Sequence, residues 1–237
     1  MKKITSIFLI ISTLAIIISC QQLTAITNGV LQNGGALTES EIVSGLKEAL
    51  KIGITNGSQS ASATDGFLMN PKIKIPFPPE VQKVEKALRD IGLGSQVDKF
   101  VTTLNRGAED ASAKAKDIFV NAILQMSITD ALGILKGDKD AATQFLKRTT
   151  SQQLINEFSP IIDASLGKTN ATKYYGDITK LYNAIPFTEK VNPDLKQYAT
   201  QKAIDGLFVL VAEEEAKIRE NPAARVTDIL KRVFGAS

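Results

Sequence analysis

Gly206-Leu207-Phe208-Val209-Leu210-Val211-Ala212 is an unbroken apolar run inside a segment that carries helix signals at both ends. Asn192-Pro193 offers an asparagine cap with proline at the first helical position, and Asn221-Pro222 repeats that signal after Glu220. A helix between them has no polar face through its middle, which suits only a central, buried helix. The run from Asn192 to Glu220 is therefore the expected core element and the longest helix, and the remaining helices must pack around it.

Those helices are legible as apolar faces between caps. Thr38 with Glu41 forms a capping-box pattern, Leu37 and Ile42 are placed for a hydrophobic staple, and Ile42, Leu46, Ala49, Leu50 and Gly53 share a face that fades into Asn56–Thr64. Glu80–Ile91 carries Val81, Val84, Leu88 and Ile91 and is ended by Gly92-Leu93-Gly94. Ser95 with Asp98 predicts the next start, and the segment from Asp117 to Met126 continues the pattern. Ser127 with Asp130 caps a short helix to about Leu135, and a further helix ends near Arg148. Thr150 with Gln153 predicts another start, with a kink or restart at Pro160 and a stop at Gly167. Tyr174–Asn183 is helical, and a last amphipathic helix carries Val226, Ile229, Leu230, Val233 and Phe234. The expected fold is all-α: a single compact multi-helix bundle around a buried C-terminal long helix.

One segment cannot be helical. Asp65–Pro79 reads DGFLMNPKIKIPFPP, with turn formers at Asp65-Gly66 and Asn70-Pro71 and prolines at 71, 76, 78 and 79. Lys72-Ile73-Lys74-Ile75 alternates like a short edge strand or an extended strap. A pocket-shaping loop is one reading; the favoured one is an irregular proline-rich strap that lays Phe67, Leu68, Ile73, Ile75 and Phe77 over the helices.

The first twenty residues have a different logic. Lys2 and Lys3 precede an apolar run from Ile4 to Ile18, followed by Ser19-Cys20, which is the layout of a secretory signal peptide. Ile17-Ile18-Ser19-Cys20 resembles the lipobox of bacterial lipoproteins, in which the cysteine becomes the lipid-bearing first residue. The expected organisation is a signal peptide over 1–19, a lipidated flexible tether over 20–36, where glycines follow Asn28 and Asn33, and a helical domain over 37–237. Cys20 is the expected lipidation site. The expected location is the cell envelope, lipid-anchored; by its resemblance to proteobacterial lipoproteins, Gln21 rather than Asp after the cysteine implies the outer membrane, facing the periplasm.

Composition then excludes chemistry. The chain has no histidine and a single cysteine, Cys20, so serine–histidine and cysteine–histidine nucleophile pairs and histidine- or thiolate-based zinc sites have no residues to use. Formal charge is +3, and +1 without Lys2 and Lys3, with basic and acidic residues interspersed, so nothing recommends a nucleic-acid partner. No cofactor or metal is expected. Gly137-Asp138-Lys139-Asp140 opens like a calcium loop, but Ala141, Ala142, Thr143 and Phe145 follow where ligands would be needed, so it reads as a turn.

The candidate special residues are few. Asp205, just before the apolar run, would need a cationic partner if buried, and Arg106, Arg148 and Arg225 are the candidates. Asp65 and Phe67 of the strap are candidates for that ion pair or for a pocket. Glu213, Glu214 and Glu215 diverge around a helix and fit ion pairing, with Glu213–Lys217 and Glu215–Arg219 at i,i+4 spacing. Of Tyr174 and Tyr175, one is expected to pack and one to be exposed, since neighbours on a helix point apart.

Three segments carry a resemblance: DGFLMNP (Asp65–Pro71), MSITDALGILKGDKDAATQFLKR (Met126–Arg148) and DGLFVLVAEEEAKIRENPAARVTDILKRVFG (Asp205–Gly235). Over roughly Leu37–Gly235 the chain resembles a bacterial family of helical envelope proteins catalogued only as a domain of unknown function. The resemblance implies one all-helical domain in the envelope and brings no catalytic residues. The leading functional expectation is a non-catalytic envelope lipoprotein, anchored to the membrane through its N-terminal lipid, that acts as a scaffold or binds an envelope protein partner. The alternatives are a carrier holding an apolar, lipid-like ligand between helices, which predicts a cavity bordered by the strap, and a carboxylate-dependent hydrolase, which predicts two facing acids in a cleft.

Overall fold

The apolar run from Gly206 is largely buried, as its composition requires: Leu207 is fully enclosed, and Phe208, Leu210 and Val211 nearly so. It lies in the last of the helices seen in a computed structural model, which describes residues 38–184, 186–187, 190–192, 194–221, 231 and 233. Among these residues the helices are α1 (Glu39–Ser62), α2 (Gln82–Asp90), α3 (Gly94–Ser112), α4 (Ala115–Gln125), α5 (Ile128–Lys136), α6 (Ala141–Gly167), α7 (Ala171–Asn183) and α8 (Leu195–Glu220), with a 3-10 turn at Pro79–Val81. Helix α8 packs against α1, α3 and α6, while α4 bridges α1 and α6. The fold is an all-α bundle built on α8, as expected. The signal-like segment, Cys20 and the tether lie outside the described residues, as do Arg225 and all of the last amphipathic stretch except Lys231 and the buried Val233.

Enclosure of α8 is not complete. Gln201 and Val209 are exposed and Asp205 is half-buried, so positions four apart form a seam to solvent between the covering helices. Asp205 therefore needs no cation. Its carboxylate accepts a hydrogen bond from Gln201 Nε2 at 2.9 Å, and the anticipated pair with Arg106 or Arg148 is not made. Arg106 is engaged elsewhere, and the Arg148 guanidinium lies 5.6 Å from the centroid of the Phe145 ring.

Several helix boundaries differ from expectation for local reasons. Helix α1 continues through the small, polar stretch to Ser62 because Gly57, Ser58 and Ala61 are buried; a Cβ on Gly57 would sit 3.7 Å from the Leu210 backbone, so small residues there let α8 approach. Helix α6 runs unbroken through Thr150 and Pro160, which makes it one residue longer than α8. The Thr150 hydroxyl donates to Leu146 O at 2.6 Å instead of capping a new helix, and Thr149 and Ser151 bond back in the same way. One buried face, Leu146, Leu154, Phe158, Ile162 and Leu166, runs across the position where the break was expected. Helix α3 begins at Gly94 without a side-chain cap, because Asp98 is drawn to Arg89 at 2.9 Å. Helix α8 is capped by Asp194, which accepts from Gln197 N at 2.9 Å, and not by Asn192. The Ser127–Asp130 capping box forms as read, and it holds the Asp130 carboxyl below its ordinary range through hydrogen bonds from the Ser127 hydroxyl and N–H.

The acidic triplet divides its work. Glu213 pairs with Lys72 of the strap at 2.6 Å rather than with Lys217, which pairs with Glu214. Glu215 does form the expected pair with Arg219, at 2.8 Å, but it is buried and does more. Its carboxylate accepts from Ala142 N at 3.0 Å and from Thr143 N and Thr143 Oγ1, both at 2.8 Å. These N–H groups open α6, whose own cap residue, Asp140, makes no side-chain bond to the backbone. Arg219 Nη2 meanwhile donates to Ile134 O, in the last turn of α5, at 2.9 Å. A carboxylate on the core helix thus caps α6 from outside, and its arginine partner closes α5. Glu215→Ala is expected to cost about 3 kcal/mol, because it strands the buried N–H groups of Ala142 and Thr143 and the Thr143 hydroxyl. Urea unfolding would show this as a lowered midpoint at unchanged slope, with Glu215→Gln losing less.

Candidate functional site

The proline-rich segment between α1 and α2 is irregular, as expected, and it lies on the bundle as a strap. Phe67, Ile73, Ile75 and Phe77 are buried, and Leu68 is half-buried. It forms no β-strand; instead, turns such as Lys74 N to Asn70 O at 2.8 Å succeed one another. Asp65 starts it in the left-handed region, at φ 67°, and a Cβ on the following Gly66 would lie 2.2 Å from Ser60 O, so only glycine fits there. Phe67 is seated by Gly206 of α8, where a Cβ would come within 2.7 Å of its ring.

A buried segment that is neither helix nor sheet must satisfy the backbone groups its turns leave over in another way, and side chains can do so. Two residues one turn apart on α3 do so. Asn105 is fully buried; its Oδ1 accepts from Ile75 N and its Nδ2 donates to Ile75 O, each at 2.8 Å. Glu109 Oε1 accepts from Phe67 N and Leu68 N, each at 3.1 Å. Arg106 neutralises that carboxylate at 2.5 Å and also reaches Asp65 at 2.7 Å. Of the candidate site residues, Asp65 and Phe67 therefore belong to the attachment of the strap. Asp205 and Arg148 are not brought to them.

At its C-terminal end the strap borders a cleft. Phe77 stands beside Phe100 of α3 with ring centroids 4.9 Å apart, and Phe100 stacks on Tyr175 of α7 at 6.4 Å. This aromatic row lines an open cleft of about 600 Å3 between α2, the start of α3 and the α6–α7 turn, with Leu88 and Ile178 on its sides. Helices α3 and α6 approach closely where Gly107 meets Ser165, and the chain then turns at Asn170, whose φ is 54°, into α7, which packs against α6 and α8. Helix α2 has no buried residue, and its half-buried Leu88 lines the cleft. Tyr175 is buried and Tyr174 is 58% exposed, as expected for neighbours on a helix. Burial, with a smaller push from Glu80, raises the Tyr175 phenol to about 12, so it is neutral at ordinary pH and donates to Asn192 O at 3.4 Å.

Lys99 and Lys168 also line the cleft, and no Asp or Glu does among the described residues. Acids gather elsewhere: Asp130, Asp138 and Asp140 border a separate cleft of about 380 Å3 together with Arg148. There Asp130 is held by Ser127, and Asp140 accepts from Gln144 at 2.9 Å. Among the described residues no three metal-ligating side chains come together.

The profile of a family described as Protein of unknown function (DUF4197) matches residues 36–235. The chain belongs to this family. No curated protein and no solved structure matches it. All of the strap and every residue of the aromatic cleft fall within the DUF4197 region. Sequence reasoning singled out Phe77 and the tyrosine pair but missed Asn105, Glu109, Phe100, Lys99 and Lys168. The available signal was polar: Asn105 and Glu109 interrupt the apolar face of α3 one turn apart.

Asn105→Ala is expected to remove about 2–3 kcal/mol, since it strands the buried N–H and C=O of Ile75. Hydrogen exchange at Ile75 should accelerate well beyond exchange in the core of α8, and unchanged protection there would show that Asn105 does not hold the strap.

Proposed function

We propose that this protein is a non-catalytic, lipid-anchored envelope protein whose helical domain binds an apolar small molecule in the cleft at the end of the strap. The observation that carries the reading is the cleft itself: about 600 Å3, with an aromatic row of Phe77, Phe100 and Tyr175 and, among the described residues, no acid in its lining. That volume is in the usual range for ligand sites, roughly 300–1,000 Å3, and an apolar wall with a few polar groups is their usual composition. The carrier reading called for a cavity bordered by the strap, and Phe77 supplies that border. Among the described residues, the acids that share a cleft, Asp130 and Asp140, are engaged by Ser127 and Gln144, which gives the hydrolase reading less support. The anchor rests on the signal-like start and Cys20.

Native mass spectrometry of the protein taken gently from its envelope tests the cleft. A mass that is lost on denaturation is expected, and Ile178→Trp, which fills the cleft from α7, should abolish it. A bare protein that also takes up no added amphiphile overturns the carrier reading. Cys20→Ala tests the anchor separately: it should abolish labelling by a radioactive fatty acid and release the protein from membranes, whereas persistent labelling would exclude lipidation at Cys20.

A further inference from the structure

The lining of the cleft combines aromatic and cationic residues. Phe77, Phe100 and Tyr175 form its floor, while Lys99 on α3 and Lys168 in the α6–α7 turn border it, both exposed. Several cations among the described residues are matched by carboxylates: Lys72 with Glu213, Arg89 with Glu85 and Asp98, Arg106 with Asp65 and Glu109, Lys217 with Glu214, Arg219 with Glu215. Lys99 and Lys168 have no carboxylate partner among the described residues, although Asp98 adjoins Lys99 in sequence; Asp98 is taken by Arg89. Two lysines thus border the same apolar space, with no carboxylate in its lining among the described residues. Helix α7 also begins on this wall, at Ala171, and adds the positive end of its dipole to the same side.

We infer that the ligand is a single-chain amphiphile with an anionic head, of which a fatty acid is the simplest member. Its head lies between Lys99 and Lys168 and its chain lies along Phe77, Phe100 and Tyr175. This rests on the cleft being the binding site and adds the chemical class of what binds. Size supports one chain: at about 30 Å3 per water-sized unit, a space of about 600 Å3 takes roughly twenty non-hydrogen atoms, too few for a two-chain phospholipid. Charge supports the head, because an anion placed there meets two lysines and a helix N-terminus at no cost in broken ion pairs.

The test compares dodecanoic acid with methyl dodecanoate, which has the same chain without the charge, by calorimetry on the purified protein. The acid is expected to bind about tenfold more tightly than the ester at low salt, with the gap narrowing as salt is added. The double variant Lys99→Met, Lys168→Met keeps the aliphatic stems and should bind both equally, at the affinity of the wild-type protein for the ester. Both lysines are exposed, so the variant is expected to unfold at the wild-type urea midpoint. Equal affinity of wild-type protein for acid and ester, or an acid preference that survives in the double variant, overturns the anionic head and leaves the apolar cleft standing. Binding of neither amphiphile overturns the cleft as well.

Discussion

A backbone that is forbidden to be helical can still be buried if side chains replace the ladder it lacks. That constraint governs this structure. The strap over 65–79 carries four prolines, yet it places Phe67, Ile73, Ile75 and Phe77 in the core. Asn105 and Glu109 make this tolerable by taking the N–H groups of Ile75, Phe67 and Leu68. Asparagine suits the first position because it both donates and accepts, matching one residue's C=O and N–H together. A carboxylate suits the second because two adjacent N–H groups point at it and Arg106 offsets its charge. With the strap fixed, Phe77 is fixed, and Phe77 is where the cleft begins.

The same solution recurs at the start of α6. Glu215 satisfies the opening N–H groups of α6, and Arg219 carries its charge on to the last turn of α5. In both places a buried acid on a core helix serves the backbone of a neighbouring segment and is balanced by an arginine one turn or less away. Such an acid is occupied in holding structure together. This separates it from an acid poised for chemistry, and the cleft, with apolar walls and lysines at its border, is built from a different set of residues.

Where sequence reasoning failed, long-range packing had overridden a local signal. Thr150 with Gln153 has the pattern of a helix start, but the hydroxyl of Thr150 bonds back within α6 because Leu146 and Leu154 on either side are buried on one continuous face. Ser95 with Asp98 has the same pattern, but Asp98 finds Arg89. Asp205 looked like a buried charge because the run after it is wholly apolar, yet three helices around α8 leave a seam, and Asp205 lies on it. Where the pattern and the packing agreed, as at Ser127–Asp130, the reading was correct to the atom.

The sequence by itself determined the helical class, the central place of the run after Gly206, the strap and the apolar residues it buries, because periodicity, proline and an all-round apolar stretch each leave one physical option. The pairing of Glu215–Arg219 and the division of labour between Tyr174 and Tyr175 were also legible, since helix geometry fixes which neighbours meet and which diverge. Only the tertiary structure decided who holds the strap, what caps α6, and that a cleft opens between α3 and α7. Those outcomes join residues such as Ile75 and Asn105, Ala142 and Glu215, or Phe77, Lys99 and Lys168, which are far apart in the chain, and no local spacing records which of them will touch.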